Sequence, residues 1–544
     1  MSSRSLGARR LANLFTFASK PNATPKLTVC RTKMIMEYGR RGEVDKAVQV
    51  FEKMPQRNQI SWNAMLSVLV DSGRVGSALQ LFDEMPHRNS TSYTSMISGL
   101  SRSGLVLEAR HLFDSIPSRD QNVFSWTAVI SCYAQNNEPV EALKLFSGLY
   151  GALFKLKILP NSHTFSALLK CCGCIRSLAA ARQIQSLIAK LLDEEGEGCV
   201  FVHNCLIDVN AKLGSLVEAE EIFNRMRWKD LGSWNAMMDA YTHHLLIDKA
   251  LEIFHSMEEK DTLSWNIAMS GLLESRRGEE ALRLSLLLRS GGSMKPNSST
   301  YSIILSACAA LTMLEFGRQI HAITVKIGLY WSNIFVCNSL ITMYASCGLS
   351  EELKRVFDEM PKKDEVSWNS VIQGLGQNGY SGKALKIAEK ALDSKNFNHN
   401  TFVAILTGCS HGGLVKEGLD YFHSMRKKYG IDPSLDHYIC VVDMLGRAGW
   451  LKEAHSLLGS MPLAANSVAW HALLNACMIH GDADMGRIAA KELQILEPCN
   501  ARSYLGLANI YGRTDKIEES RRLFDLIRKK ELRKEPGCSW VVQT

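Results

Sequence analysis

Few residues of this 544-residue chain have the type and spacing for covalent or metal chemistry. Cys171-Cys172-Gly173-Cys174 contains a C-x-x-C, but a zinc site needs two further ligands at suitable spacing, and no second such pair occurs. Gly374-Leu375-Gly376-Gln377-Asn378-Gly379 fits G-x-G-x-x-G. A dinucleotide site would also need a preceding strand and a βαβ unit, and these glycines fall inside a helical pattern. The zinc deaminase signature, H-x-E with P-C-x-x-C, is missing. No His is followed two residues later by Glu, and Pro498-Cys499 runs into Asn500-Ala501-Arg502. What does recur is a hydrogen-bonding group behind an aromatic: Ser61-Trp62-Asn63, Ser125-Trp126-Thr127, Ser233-Trp234-Asn235, Ser264-Trp265-Asn266 and Ser367-Trp368-Asn369. An Asn amide both donates and accepts, a Thr hydroxyl is shorter, and an ionised Asp only accepts. The chemistry open to such a pattern is hydrogen-bond recognition, with no cofactor and no metal.

The elements that must position these groups are short amphipathic helices. With each Trp or Tyr at position four, units start at Thr28, Gln59, Ser90, Val123, Ser162, Val200, Leu231, Thr262, Ser298, Ile334, Glu365, His399, Leu435, Ser467 and Ala501. Most spacings lie between 31 and 36 residues, a period that marks a repeat array. In the unit beginning at Gln59, Trp62, Met65, Leu66 and Leu69 form one helical stripe. Gly73 breaks that helix at position fifteen. Ala78, Leu81, Phe82 and Met85 form a second stripe, which Pro86 stops. Gly42, Gly104, Gly214, Gly348, Gly379, Gly413 and Gly449 stand at the same break. Two such helices cannot bury their apolar faces alone, so an all-α solenoid of stacked, curving helix-turn-helix pairs is expected.

Net charge is +8, but Arg4, Arg9, Arg10, Lys20, Lys26, Arg31 and Lys33 precede the first acid, Glu37, and account for all but one of those charges. Bulk charge therefore does not argue for nucleic acid; a basic groove must come from local arrangement. Residues 1–27, rich in Arg and Ser and free of acids, suit an organellar transit peptide. No run of eighteen apolar residues occurs, so no membrane span is expected. Of the 15 cysteines, Cys172, Cys308, Cys409 and Cys477 share position eleven, which predicts small core residues rather than disulfides. The Trp at position four is read as core packing between units.

These residues resemble the pentatricopeptide repeat family of plant organelles over about residues 28–543. Short units end in Met-Pro-x-x-Asn/Asp, as at Met85 to Asn89 and Met360 to Asp364. Long units carry Tyr301-Ser302-Ile303-Ile304-Leu305-Ser306-Ala307-Cys308 and then Gly317-Arg318-Gln319-Ile320-His321. That mixture is similar to the PLS subclass of long, short and standard units, about 13 of them over 28–466. Tyr438 to Gly449, Trp470 to His480, Leu507 to Tyr511 and Glu535 to Trp540 resemble the E1 and E2 extension, placed at 467–534 with a tail at 535–544. The resemblance implies a right-handed superhelical solenoid. It also implies a site-recognition factor for C-to-U editing. The chain stops four residues after Trp540, so the deaminase domain of some relatives is not expected and a deaminase-bearing partner or other editing factor would act in trans. A monomer is expected, and the Arg-rich leader points to a mitochondrial destination, with the chloroplast as alternative.

Such arrays read about one base per unit with two or three side chains. The resemblance implies that the readers are position five and the residue closing the unit. It links Thr-Asn with A, Thr-Asp with G, Asn-Asp with U, and Asn-Asn with C or U. Thr32/Asn58 then implies A and Asn63/Asn89 implies C or U. Thr94/Asn122 implies A, or G if Asp120 is the closing residue. Thr127/Asn161 implies A. Asn204/Asp230, Asn235/Asp261 and Asn338/Asp364 each imply U. Asn266/Asn297 and Asn369/Asn398 imply C or U, and Ser302/Asn333 favours A. Ser166/Cys199, Val403/Ser434 and Ile439/Asn466 depart from the pattern. Position two should flank the base with an apolar side chain: Ile60, Phe124, Phe201, Leu263, Phe335 and Val366 fit, whereas Gly232 and Asn400 do not. The reading is 5′-A-Y-A-A-n-U-U-Y-(A)-U-Y-n-n, with the edited C a few nucleotides downstream. Splicing or transcript stabilisation through the same RNA contacts is the nearest alternative. A peptide-binding helical-repeat scaffold is another, and the in-phase Asn/Asp pairs weigh against it.

Overall fold

The computed structural model describes residues 24–117, 120–155, 159–192, 197–290, 294–462, 464–514, 516–530 and 532. The proposed leader lies outside the described residues for all but 24–27, as do Glu535 to Trp540. All regular structure among the described residues is helical. First helices begin at thirteen of the fifteen unit starts; those of the Thr28 and Val200 units begin earlier, at Thr24 and Glu197. Each is followed by a second, antiparallel helix such as Val75–Glu84 or Ser350–Glu359.

The chain divides into two compact units, one ending at Gly271 and one beginning at Leu272. In the first, consecutive first helices pack on one another from Thr24–Arg40 through Gln59–Asp71, Ser90–Arg102, Val123–Gln135, Ser162–Cys174 and Glu197–Lys212 to Leu231–His243. In the second, the same row runs from Ser298–Ala310 through Ile334–Ser346, Glu365–Gln377, His399–Gly412, Leu435–Arg447 and Ser467–His480 to Ala501–Arg513. A short extra helix, Leu329–Ser332, lies in the second unit. Stacking first helices in a row brings one face of every hairpin into register, which is what a repeated site requires.

The cores follow the predicted stripes. Met65, Leu66, Ala78 and Phe82 are buried, as are Cys172, Cys308, Cys409 and Cys477. Those four thiols are free; burial pushes Cys172 up to about 11 and the other three up to about 12. The Trp at position four meets the Phe of the preceding hairpin edge-on. Ring centroids are 5.0 Å apart for Phe51–Trp62, 4.3 Å for Phe113–Trp126 and 4.9 Å for Phe357–Trp368. Such T-shaped pairs gain from the ring quadrupole as well as from area, so this Trp holds one hairpin against the next.

Among the described residues, position fifteen takes the left-handed conformation whatever residue stands there. Gly73 has φ 76°, but Leu245 (59°) and Thr312 (51°) adopt it too, at a cost that glycine does not carry. The glycines that imitate a dinucleotide motif serve packing. A Cβ on Gly376 would lie 2.6 Å from Gly408 Cα on the neighbouring first helix, and Gly379 (φ 83°) is a position-fifteen break.

Candidate nucleic-acid interface

The residue closing a unit is the N-cap of the next first helix, except Cys199, which lies inside the Glu197–Lys212 helix. Asn58, Asn89, Asn122, Asn161, Asp230, Asp364 and Asn398 all adopt extended backbone, and each accepts through Oδ1 from the N–H of the position-three residue. The Ser or Thr at position three returns the bond to the cap's own N–H, as Ser61 does to Asn58 at 3.0 Å. This reciprocal box satisfies two helix-end donors and explains why the Ser of Ser-Trp-Asn is fully buried. It also places Asn122, not Asp120, at the closing position of the Thr94 unit.

With Oδ1 spent on the cap, the remaining branch is an Nδ2 donor on Asn and an Oδ2 acceptor on Asp; in Asn398 that Nδ2 donates to Glu365 Oε2. Burial raises the carboxyls of Asp230, Asp261 and Asp364. Bonds from the position-three Ser and from the position-five Asn outweigh it and hold all three below the ordinary carboxylate range. At neutral pH these caps are anions that only accept.

Position-five Asn side chains reach the closing residue directly. Nδ2 donates to the cap Oδ1 from Asn63 to Asn89 (3.3 Å), Asn204 to Asp230 (3.1 Å), Asn235 to Asp261 (3.3 Å), Asn338 to Asp364 (3.3 Å) and Asn369 to Asn398 (3.2 Å). The Oδ1 atoms of Asn204, Asn235, Asn338 and Asn369 are buried without a partner, each a group whose desolvation costs about 1–3 kcal/mol. Asn63 differs, since its Oδ1 accepts from Ser92 Oγ at 2.8 Å.

Position-five Thr behaves otherwise. The hydroxyls of Thr32 and Thr127 donate to the carbonyls of Thr28 and Val123, one turn back, at 2.8 and 2.7 Å, and Thr94 does the same to Ser90. Thr32/Asn58 and Thr94/Asn122 therefore lack the side-chain bond of the Asn pairs. Thr127 is linked to Asn161 through the Thr164 hydroxyl, 2.7 Å from Thr127 and 2.9 Å from Asn161 Oδ1. The hydroxyl of Ser302 is buried without a partner, while Asn333 caps the Ile334–Ser346 helix through Val336 N–H. Asn266 and Asn297 belong to different compact units; Asn297 caps the Ser298–Ala310 helix.

The position-two side chains Ile60, Phe124, Phe201, Leu263, Phe335 and Val366 are 46–69% exposed. Each lies one turn before position five on the same helix face. Val29 and Val468 extend the series with similar exposure, and reading position two in every unit would have found them. Apolar groups exposed in strict phase with a hydrogen-bonding pair form a wall for something flat and partly apolar.

A second in-phase set was not foreseen. The residue before the cap is a cation turned inward. Arg57, Arg88, Lys229, Lys260 and Lys363 sit 4.5–5.3 Å over the rings of Phe51, Phe82, Phe223, Phe254 and Phe357. Each also donates to a carbonyl at the end of the second helix, as Lys363 Nζ does to Met360 O at 2.8 Å. The Met-Pro-x-cation-Asn/Asp string around Arg57, Arg88 and Lys363 is legible in the sequence, but a Lys or Arg in a turn reads as solvated charge.

A PPR repeat pattern matches ten segments of this chain, from 29–58 to 436–463, and an E motif matches 480–542. The chain belongs to the pentatricopeptide repeat family. It is 37% identical over 430 residues to the chloroplastic pentatricopeptide repeat-containing protein At3g57430 of Arabidopsis thaliana, covering 78% of this chain and 44% of that one. It is 34% identical over 422 residues to mitochondrial At2g03880 of the same plant, covering 77% and 60%. The chain thus spans roughly half the length of these pentatricopeptide relatives. Its fold matches the crystal structure of PPR10 from maize (TM-score 0.50, 20% identity, 95% of this chain and 78% of that one). It also matches PPR10 in complex with an 18-nucleotide psaJ RNA element (TM-score 0.51, 17% identity, 92% and 84%). No helix among the described residues is long and apolar enough to cross a membrane, and no group of three His, Cys, Asp or Glu among them could hold a metal ion.

Proposed function

We propose that this chain is a non-catalytic, sequence-specific binder of single-stranded organellar RNA. It specifies a cytidine for C-to-U editing and brings a deaminase in trans. The observation that carries the reading is the pair of a position-five Asn bonded to a capping Asn or Asp beside an exposed apolar residue at position two, as in the units of Asn63, Asn204, Asn338 and Asn369. A cap alone requires neither the crossing bond nor the exposed neighbour.

The geometry gives the pairs a chemical logic. Uracil carries a proton on N3 and cytosine does not. The outward Oδ2 of an ionised Asp cap accepts from uracil N3–H, whereas the outward Nδ2 of an Asn cap donates to cytosine N3. The base lies between successive position-two side chains. The E motif supports editing as the outcome, and the chloroplastic and mitochondrial relatives support an organelle, with the mitochondrion preferred for the Arg-rich leader. Sequencing organellar transcripts from a loss-of-function line tests the outcome. Specific cytidines left unconverted downstream of the read sequence are expected; complete editing beside unspliced or degraded transcript would replace editing with another RNA-processing role.

A further inference from the structure

We propose that a groove between the Ser467–His480 and Ala501–Arg513 helices binds one more nucleotide of the RNA, on the 3′ side of those read by the array. The inference rests on the RNA-binding reading above and extends it into the segment matched by the E motif. The groove has a volume of about 540 Å³. Val468, His471 and Asn475 line one side, and Arg502, Leu505 and Asn509 the other. Its floor is open because Gly506 packs against Leu474: a Cβ there would come within 2.9 Å of Leu474 Cδ2.

Three observations favour a nucleotide. First, the phase is that of the array. Val468 is an exposed position-two residue, His471 stands at position five, and these helices continue the row of first helices in their compact unit. Second, the position-five side chain is again tied to the segment entering the next hairpin. His471 Nε2 lies 3.4 Å from Glu497 Oε2, which accepts from Asn500 Nδ2 at 2.6 Å, and Asn500 caps the next helix. The tie resembles the reader pairs, with a carboxylate in place of the direct bond. Third, the walls combine two apolar side chains, two exposed amides and a cation. Val468 and Leu505 suit a base face, Asn475 and Asn509 suit its polar edge, and Arg502 suits a phosphate. The array's own inward-turned cations offer no such phosphate contact.

The full chain is titrated with two RNAs by fluorescence anisotropy across a salt series. One ends at the last nucleotide read by the array; the other carries one further nucleotide at its 3′ end. One added nucleotide is expected to raise affinity about tenfold and steepen the log–log salt dependence by about 0.7, the value for one phosphate on a single strand. Arg502→Gln should lose both gains, and Asn509→Ala the base-dependent part. Both should bind the shorter RNA as the parent does, which shows that the array is intact. No gain on extension, or a gain that survives in both variants, overturns the proposal. Retained gain with lost binding to a purified deaminase-bearing partner overturns it too and gives the groove to a protein. Asn235→Thr, run on the shorter RNA, separates the two readings: an unchanged base preference there counts against the array pairs and leaves the extension result to judge the groove.

Discussion

Asn235 Nδ2 donates to Asp261 Oδ1 at 3.3 Å, joining residues 26 positions apart across one hairpin. The same oxygen accepts from Ser264 N–H at 2.8 Å and so also begins the next first helix. On the proposed RNA reading, recognition and folding meet on one carboxylate, whose Oδ1 serves the fold and whose Oδ2 would serve the base. Asn204–Asp230 and Asn338–Asp364 repeat the arrangement.

Asn235→Thr replaces an amide that spans to Asp261 with a hydroxyl that turns back onto its own helix, as Thr32 and Thr127 do. The preference at that one position should move from U toward G, by about 1–2 kcal/mol or roughly tenfold. Binding to four RNAs that differ only there checks it. An unchanged order of the four bases contradicts the pairing.

Lys363 illustrates charge spent inside the fold, on the Phe357 ring and the Met360 carbonyl. Lys363→Ala should leave the salt dependence of RNA binding unchanged. It should loosen the turn before Asp364 and lower thermal stability, by about 1 kcal/mol. A salt slope reduced by about 0.7 would instead show that this lysine contacts a phosphate.

Thr312 holds a β-branched side chain at φ 51°. Thr312→Gly should stabilise the protein by about 1 kcal/mol, raising the denaturant midpoint. Glycine at the same position in most other units makes the change compatible with the turn.

His437 is fully buried at position three, where ten of the other units carry Ser or Thr. Its Nδ1 accepts from the Ser434 N–H (3.0 Å) and lies 2.7 Å from the Ser434 hydroxyl, while Nε2 donates to the His399 carbonyl at 2.9 Å. Burial first, with the nearby His399 ring adding to it, holds the imidazole below its ordinary value. The folded state then binds a proton less readily than the unfolded chain. Its contribution is complete above the ordinary imidazole value near 6.5 and is lost as pH falls from there through the folded pKa. Melting at pH 7.5 and at pH 5.5, conditions chosen roughly one unit to either side of that value, should show a loss that His437→Ser reduces. An equal loss in the variant contradicts the assignment.

The unit starts, the break at position fifteen, the buried position-eleven cysteines and the packing Trp were legible because each depends on local period and side-chain size. The dual use of Asn89 or Asp230 was less so. An Asn or Asp followed by Ser or Thr three residues later is a capping signal that the sequence displays, yet the bond from Asn63 or Asn204 spans a whole hairpin and depends on how first helices stack. The long units were hardest. Asn333 follows the extra helix Leu329–Ser332, and Ser302 is buried with no bond joining the two, since the inserted residues change how the cap approaches position five. The inward turn of Arg57 and Lys260 depended on the Phe ring that each finds only after folding.

Selection from a pool of randomised single-stranded RNA with the purified full chain tests the central claim most directly. The account predicts enrichment of 5′-A-Y-A-A-n-U-U-Y-(A)-U-Y in one register, with the uridines opposite Asn204/Asp230, Asn235/Asp261 and Asn338/Asp364 the most constrained. Enriched RNAs that lack uridine at those three positions, or a pool with no sequence preference, would contradict it.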